Sequence, residues 1–199
     1  MAMSITLASA SAIRQTLLMN AGLEFDVIKP RVDEIALRDS MISDGCRPRE
    51  IVDALAEMKA LRISSKHPER LVIGCDQVLD LEGQLLSKPE TLDIARRQLL
   101  SLRGKHHELL SAVVVCEAGA PIWRHIGRAQ LSVRNFSEDW LDSYLDRNWP
   151  RISDSVGAYK LEEEGVRLFS RIDGDYFTIL GLPLLDLLSF LTLRGDLQK

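Results

Sequence analysis

Val72-Ile73-Gly74-Cys75-Asp76-Gln77-Val78-Leu79 is the most strand-like run in the chain, and a carboxylate stands in its middle. Leu71 to Leu81 reads as one apolar strand, Glu82-Gly83 as a two-residue hairpin turn, and Gln84 to Ser87 as the returning strand. An ionised carboxylate inside a core strand is expensive unless it is paired, hydrogen-bonded or bound to a cation. With a two-residue turn, Leu81 pairs with Gln84, and the same register carries Gln77 opposite Lys88. The hairpin therefore places Lys88 beside Asp76, either as a structural salt bridge or as a catalytic pair.

The pattern on either side sets the fold class. Ser4 to Ala8 reads as a strand, and the stretch from Ser11 to about Asn20 as a helix closed by Gly22. Glu24 to Ile28 is a second strand, and Pro48 opens a long amphipathic helix to about Ser64, with Glu50 in its first turn. Thr91 caps a helix that ends near Gly104. His107 to Glu117 and Pro121 to Arg134 form a second hairpin across Ala118-Gly119, and Ser137 opens a further helix. Val166 to Ile172 and Tyr176 to Ile179 read as strands, with a closing helix over Pro183 to Leu193. Helices alternating with both hairpins and single strands predict an α/β fold, with a mixed central sheet and flanking helices. No internal repeat or linker interrupts the 199 residues, a length that suits one domain over 1–199.

Composition narrows the function. A formal charge of −4 excludes a general basic footprint for a nucleic-acid polymer, while leaving room for a local patch that holds a small phosphorylated ligand. The most apolar window, Ile179 to Leu191, is broken by Gly181, Pro183 and Asp186 and is too short for the ~20 residues of a membrane span. The N-terminal stretch has neither a basic region nor an apolar run of signal-peptide length, so a cytoplasmic location is expected. Cys46, Cys75 and Cys116 are odd in number and far apart, which suggests neither a disulfide framework nor a zinc cage. His106 and His107 are adjacent, and on a strand they face opposite sides.

Two further charges fall on faces that should be buried. Arg14 shares a helical stripe with Leu17, Leu18 and Ala21, in a first turn where the helix dipole disfavours a cation unless an anion is present. Ser9 and Ser11 precede it, and a strand, a small-residue turn and a helix N-terminus together make a phosphate cradle. A surface arginine beside an ordinary cap is the alternative. Lys59 lies in the series Ile51, Leu55, Lys59, Ile63, so its ammonium either snorkels to solvent or meets an anion. Asp33-Glu34 and Glu162-Glu163-Glu164 read by themselves as solvated acids.

In order along the chain, Leu7-Ala8-Ser9-Ala10-Ser11-Ala12-Ile13-Arg14, Val32-Asp33-Glu34, Ala56-Glu57-Met58-Lys59-Ala60, Gly74-Cys75-Asp76-Gln77-Val78 and Ser87-Lys88-Pro89 come first. Leu102-Arg103-Gly104-Lys105-His106-His107, Gly157-Ala158-Tyr159, Ile172-Asp173-Gly174-Asp175-Tyr176 and Gly181-Leu182-Pro183-Leu184 follow. Together they resemble the Maf family of nucleoside triphosphate pyrophosphatases over essentially the whole chain. The resemblance implies an elongated fold related to the inosine triphosphate pyrophosphatases, with a cleft between two lobes, a divalent metal (Mg²⁺ or Mn²⁺), and a homodimer. It implies Asp76 as proton acceptor, Arg14, Lys59 and Lys88 as phosphate-binding cations with Ser9 beside them, and Asp33, Glu34 and Asp76 as metal ligands. Three cations against three acids leave no net positive charge for a triphosphate, so the resemblance and the charge arithmetic both call for a metal.

Departures from the family pattern bear on the base. The usual Ser-x-Ser-Pro-Arg-Arg is here Ser9-Ala10-Ser11-Ala12-Ile13-Arg14, so one arginine and the proline are absent. Gln77 stands where threonine is common, and Glu162 where glutamine is common. The branch similar to 7-methyl-GTP pyrophosphatase carries Gln and Glu at those two places, whereas branches preferring dTTP and UTP resemble Thr and Gln there. A carboxylate at Glu162 accepts paired hydrogen bonds from the N1–H and amino group of guanine and is repelled by pyrimidine carbonyls. The expected reaction is hydrolysis between the α- and β-phosphates. The rival expectations are a non-catalytic nucleotide-binding regulator of septum formation, an ordinary phosphatase, and a pyrophosphatase that prefers dTTP or UTP.

Overall fold

The structure is a computed structural model and describes residues 3–197. Among the described residues it holds seven strands and seven α-helices. They run in the order β1 (Ser4–Ala8), α1 (Ala12–Asn20), β2 (Phe25–Val27), α2 (Glu34–Ser43), α3 (Pro48–Ser64), β3 (Arg70–Leu81), β4 (Gln84–Leu86), α4 (Leu92–Leu102) and β5 (His106–Glu117). After these come β6 (Ala120–Val133), α5 (Glu138–Asn148), β7 (Phe169–Asp173), α6 (Tyr176–Ile179) and α7 (Leu184–Arg194). The sheet is mixed, as the alternation of helices and hairpins predicts. Its order is β2-β1-β3-β5-β6-β7 with β4 added on β3, β1 parallel to β2 and β3, and β4 and β7 antiparallel to their neighbours.

Local chemistry explains most boundaries. Pro48 stands in the first turn of α3, and the Glu50 carboxylate reaches back to accept the Arg47 amide at 2.8 Å, which is one half of a capping box. Thr91 and Ser137 accept first-turn amides of α4 and α5. At Glu82-Gly83 and Ala118-Gly119 both residues have positive φ, the geometry two-residue hairpins require. Leu81 pairs with Gln84, the register expected from that turn.

Three segments depart from the sequence reading. Asp33-Glu34 is not a loop but the start of α2, a helix that buries none of its side chains and so shows no apolar stripe. Tyr176 to Ile179 is one helical turn rather than a strand, because the Asp175 side chain accepts the Thr178 amide at 2.9 Å. Strand β7 begins only at Phe169, since Glu164–Leu168 forms a 3-10 turn.

The chain divides into two compact units, residues 1–76, 111–127 and 181–199, and residues 77–110 and 128–180. In the first unit, Leu7, Leu18, Ile51, Leu71, Ile73, Val113 and Leu187 are fully buried between helices and sheet. Leu79, Leu99, Leu102, Leu109, Leu131, Leu141 and Tyr144 do the same in the second.

Gly74 sets the closest approach in the first unit. A Cβ there would lie 2.3 Å from the Ala56 carbonyl oxygen and 2.7 Å from Ala60, both on α3. Gly74→Ala should therefore lower stability by about 2–3 kcal/mol, at the upper end of ordinary overpacking, because the obstruction is backbone. Gly83→Ala meets nothing within 4 Å and should cost less, through its φ of +89° alone. Urea titration of both variants checks the order.

Candidate functional site

Strand and helix periodicity together build the cluster around Asp76. Gly74 and Asp76 point to one face of β3, while Ala56, Lys59 and Ala60 share one face of α3. The glycine and the alanines bring the two backbones together, so Lys59, next to Ala60, reaches Asp76, two residues past Gly74. Lys59 Nζ lies 2.5 Å from Asp76 Oδ1 and 2.8 Å from Glu34 Oε2. Lys59 and Asp76 are only 6 % and 8 % exposed, whereas Glu34 is half open to solvent. One ammonium thus holds two carboxylates, and Asp76 Oδ2 has no hydrogen-bond partner among the described residues.

Glu34 is brought there by its helix. Asp33 is the cap of α2, its Oδ1 accepting the Ala36 amide at 3.0 Å, which leaves Glu34 as the first helical residue. Of the acidic pair, Glu34 is the member on Lys59, while Asp33 spends one oxygen on the helix. Both border an open pocket of about 540 Å³ between Arg31 and Ile35.

Arg14 is 9 % exposed and committed to protein oxygens on one edge. Its Nε donates to the Gly181 carbonyl at 2.8 Å, and Nη1 to the Cys75 carbonyl at 3.0 Å and Ser9 Oγ at 3.4 Å. Gly181, at φ +96°, approaches so closely that a Cβ would stand 3.2 Å from Arg14 Nη2. Nη2 itself has no partner among the described residues. Ser11, the N-cap of α1, makes no side-chain cap, so the first-turn amides of α1 lack the acceptor a cap supplies. A guanidinium edge and uncapped amides beside buried Ser9 are the kinds of group with which helix N-termini hold anions.

The remaining sequence candidates lie in the second unit. Pairing of β4 with β3 is seen from Leu81–Gln84 to Leu79–Leu86, two residues short of Lys88, which is exposed. Gln77 Nε2 donates to the Thr178 and Ile179 carbonyls at 3.2 and 2.9 Å, supporting the end of α6. Glu163 and Glu164 are engaged, the first with Arg151 and the second with Arg147, Asn148 and Arg167. Glu162 is exposed and has no partner among the described residues.

Other reactive groups are set aside by their surroundings. Burial raises the Cys75 thiol to about 11, so the residue beside Asp76 offers no thiolate. His106 and His107 do face opposite ways, the first exposed on Ser132 Oγ, the second buried on Tyr159. Among the described residues, no group of three or more His, Cys, Asp or Glu is placed to hold a metal alone. Glu34 and Asp76 are hard oxygen donors of the kind Mg²⁺ or Mn²⁺ takes one or two of, with water and phosphate filling the remaining positions, and the cation between them here is the Lys59 ammonium.

The first unit thus brings together a buried acid on a lysine that bridges two carboxylates, and a buried arginine with one nitrogen unpartnered among the described residues. Residues 4–193 match the Maf family, described as Maf-like protein, and the chain belongs to that family. It is 53% identical to the nucleoside triphosphate pyrophosphatase of Ruegeria pomeroyi over 98% of both chains, and 55% identical to that of Caulobacter vibrioides over 97% of this chain and 96% of the relative. It is also 43% identical to a 7-methyl-GTP pyrophosphatase of Brucella abortus over 95% of both.

Proposed function

We propose that this chain is a nucleoside triphosphate pyrophosphatase, hydrolysing the α–β phosphoanhydride to a nucleoside monophosphate and pyrophosphate. The observation that carries the reading is Asp76, a buried carboxylate with Oδ1 fixed on Lys59 and Oδ2 left over. Oδ2 takes the proton of a water whose oxygen forms the new bond to the α-phosphorus as the bridging P–O bond breaks. Lys59 holds Asp76 in that orientation and offers charge to the phosphates. Arg14 Nη2, the α1 amides and Ser9 orient the phosphate chain, with Lys88 as a further phosphate ligand. Glu34, Asp76 and the open carboxylate oxygen of Asp33 would hold a divalent cation. When bound, that ion supplies Lewis-acid stabilisation of the leaving pyrophosphate and a more acidic water.

Glu162, without a partner among the described residues, reads the base and favours guanine types such as 7-methyl-GTP, with Gln77 supporting the site. The named relatives point the same way at the level of the reaction, and one of them at the level of the base. The protein works as a homodimer, as the family resemblance implies, and in the cytoplasm. Incubation with nucleoside triphosphates and Mg²⁺ or Mn²⁺ should release pyrophosphate, seen as phosphate only after inorganic pyrophosphatase is added. Phosphate without that enzyme would indicate an ordinary phosphatase, and no release a binding protein. kcat/KM should be higher for 7-methyl-GTP than for UTP or dTTP; a clear pyrimidine preference sinks the reading of Glu162.

A further inference from the structure

The second unit contains a strained turn locked by two buried tyrosines. Gly157 and Ala158 have consecutive positive φ values of +78° and +59°. Glycine adopts that region freely, but alanine is strained there and keeps it only where its surroundings over-determine it. A Cβ on Gly157 would lie 2.5 Å from a Leu79 methyl and 2.8 Å from the Tyr159 ring, so a larger residue there would have to displace both side chains. Tyr144 donates its hydroxyl to the Ala158 carbonyl at 3.3 Å. The next residue, Tyr159, is buried edge-on against Phe169, with its hydroxyl 2.7 Å from His107 Nε2 on β5.

The proton inventory of the pair has one economical solution. His107 is 2 % exposed, and its Nδ1 has no hydrogen-bond partner among the described residues. Burial lowers the imidazole to about 4 and raises the Tyr159 phenol, so both are neutral near pH 7. If Tyr159 donates to Nε2, the proton lies on Nδ1 and only that N–H is unmet. The reverse arrangement leaves both the phenol proton and the Nδ1 lone pair unmet. A strained alanine beside an incompletely satisfied buried pair lowers stability, and such features persist where they serve a site.

Tyr159 leads directly to the acidic run. In the connection from 160 to 165, a Cβ on Gly165 would lie 2.4 Å from the Lys160 carbonyl oxygen, so the segment closes tightly on itself. Glu163 and Glu164 anchor its far side to Arg151 and Arg147. Glu162 is therefore carried on a short segment held at one end by Tyr159 and at the other by these ion pairs. We propose that His107 is a positioning residue, fixing through Tyr159 the Gly157–Ala158 turn and thereby the Glu162 carboxylate that distinguishes the substrate's base. The inference rests on the reading of Glu162 as the base-reading group.

The test compares His107→Phe, Tyr159→Phe, the double variant, His107→Gln and Glu162→Gln. The readouts are kcat and KM for 7-methyl-GTP and UTP, together with amide hydrogen exchange over residues 156–163 of the ligand-free protein. His107→Phe and Tyr159→Phe should each lower the 7-methyl-GTP to UTP ratio of kcat/KM about tenfold, chiefly through KM for 7-methyl-GTP, and speed exchange in the loop. The double variant should be no worse than either single one. His107→Gln, whose amide oxygen accepts from Tyr159, should recover most of the ratio. Tyr159→Phe removes only a hydroxyl and serves if His107→Phe does not fold. An unchanged ratio in the His107 and Tyr159 variants, with Glu162→Gln shifting it, overturns the positioning role alone. A ratio that none of the variants shifts overturns the base reading and the positioning role together.

Discussion

Asp76→Asn should keep the fold and lose about 10³-fold or more in kcat, within the range that a general base contributes. The amide is isosteric with the carboxylate, and its oxygen still accepts from Lys59 Nζ, which keeps Glu34 as a counter-charge at 2.8 Å. Packing around Gly74 and Ala60 is untouched. What disappears is the oxygen proposed to take a proton from the attacking water. A loss confined to kcat, with cooperative unfolding near the wild-type midpoint, is the expected pattern. A folded Asp76→Asn protein retaining a tenth of wild-type kcat would falsify the assignment.

Asp76 was legible because its charge violates the pattern around it. A carboxylate in an eight-residue apolar run, a lysine in an Ile/Leu series and an arginine among leucines each break the periodicity that their neighbours set, and all three prove buried. Their partners were less legible. Hairpin register is local and pointed to Lys88, and it could not announce the cation that α3 brings to Asp76 from seventeen residues upstream. The signal for that contact was present in Gly74 and in Ala56 and Ala60, small residues flanking both charges. Those positions mark a close helix–strand approach only once α3 is known to lie over β3. Helix α2 left no such signal, because none of its side chains is buried. The Asp33 cap, the only local cue, is also common in loops. Tyr176 to Ile179 has strand-like composition, and a single Asp175 cap decided the matter. His107 drew notice only as one of an adjacent pair. Its tie to Tyr159 spans 52 residues and no local pattern announces it.

Lys59→Met should damage both stability and turnover, and a double variant should separate the two. Removing one partner of a buried pair leaves an uncompensated charge, which typically costs about 3–5 kcal/mol. The low end is expected, because Asp76 retains a little exposure and Glu34 can turn to solvent. Turnover should fall about 10²-fold or more, since Asp76 loses its fixed orientation and the phosphates lose a cation. Adding Asp76→Asn to Lys59→Met removes the stranded carboxylate. The double variant should therefore be more stable than Lys59→Met alone, by about 1–2 kcal/mol, once the lost pair is offset against an amide with fewer partners. Its kcat should nevertheless stay as low as that of Asp76→Asn, because neither the proton acceptor nor its holder remains. Stability and activity of the same two residues then couple with opposite consequences, which a purely structural salt bridge cannot produce. Denaturation midpoints and kcat measured across the four proteins decide it. Near-wild-type kcat in Lys59→Met, with the stability loss present, would reduce the pair to a structural one.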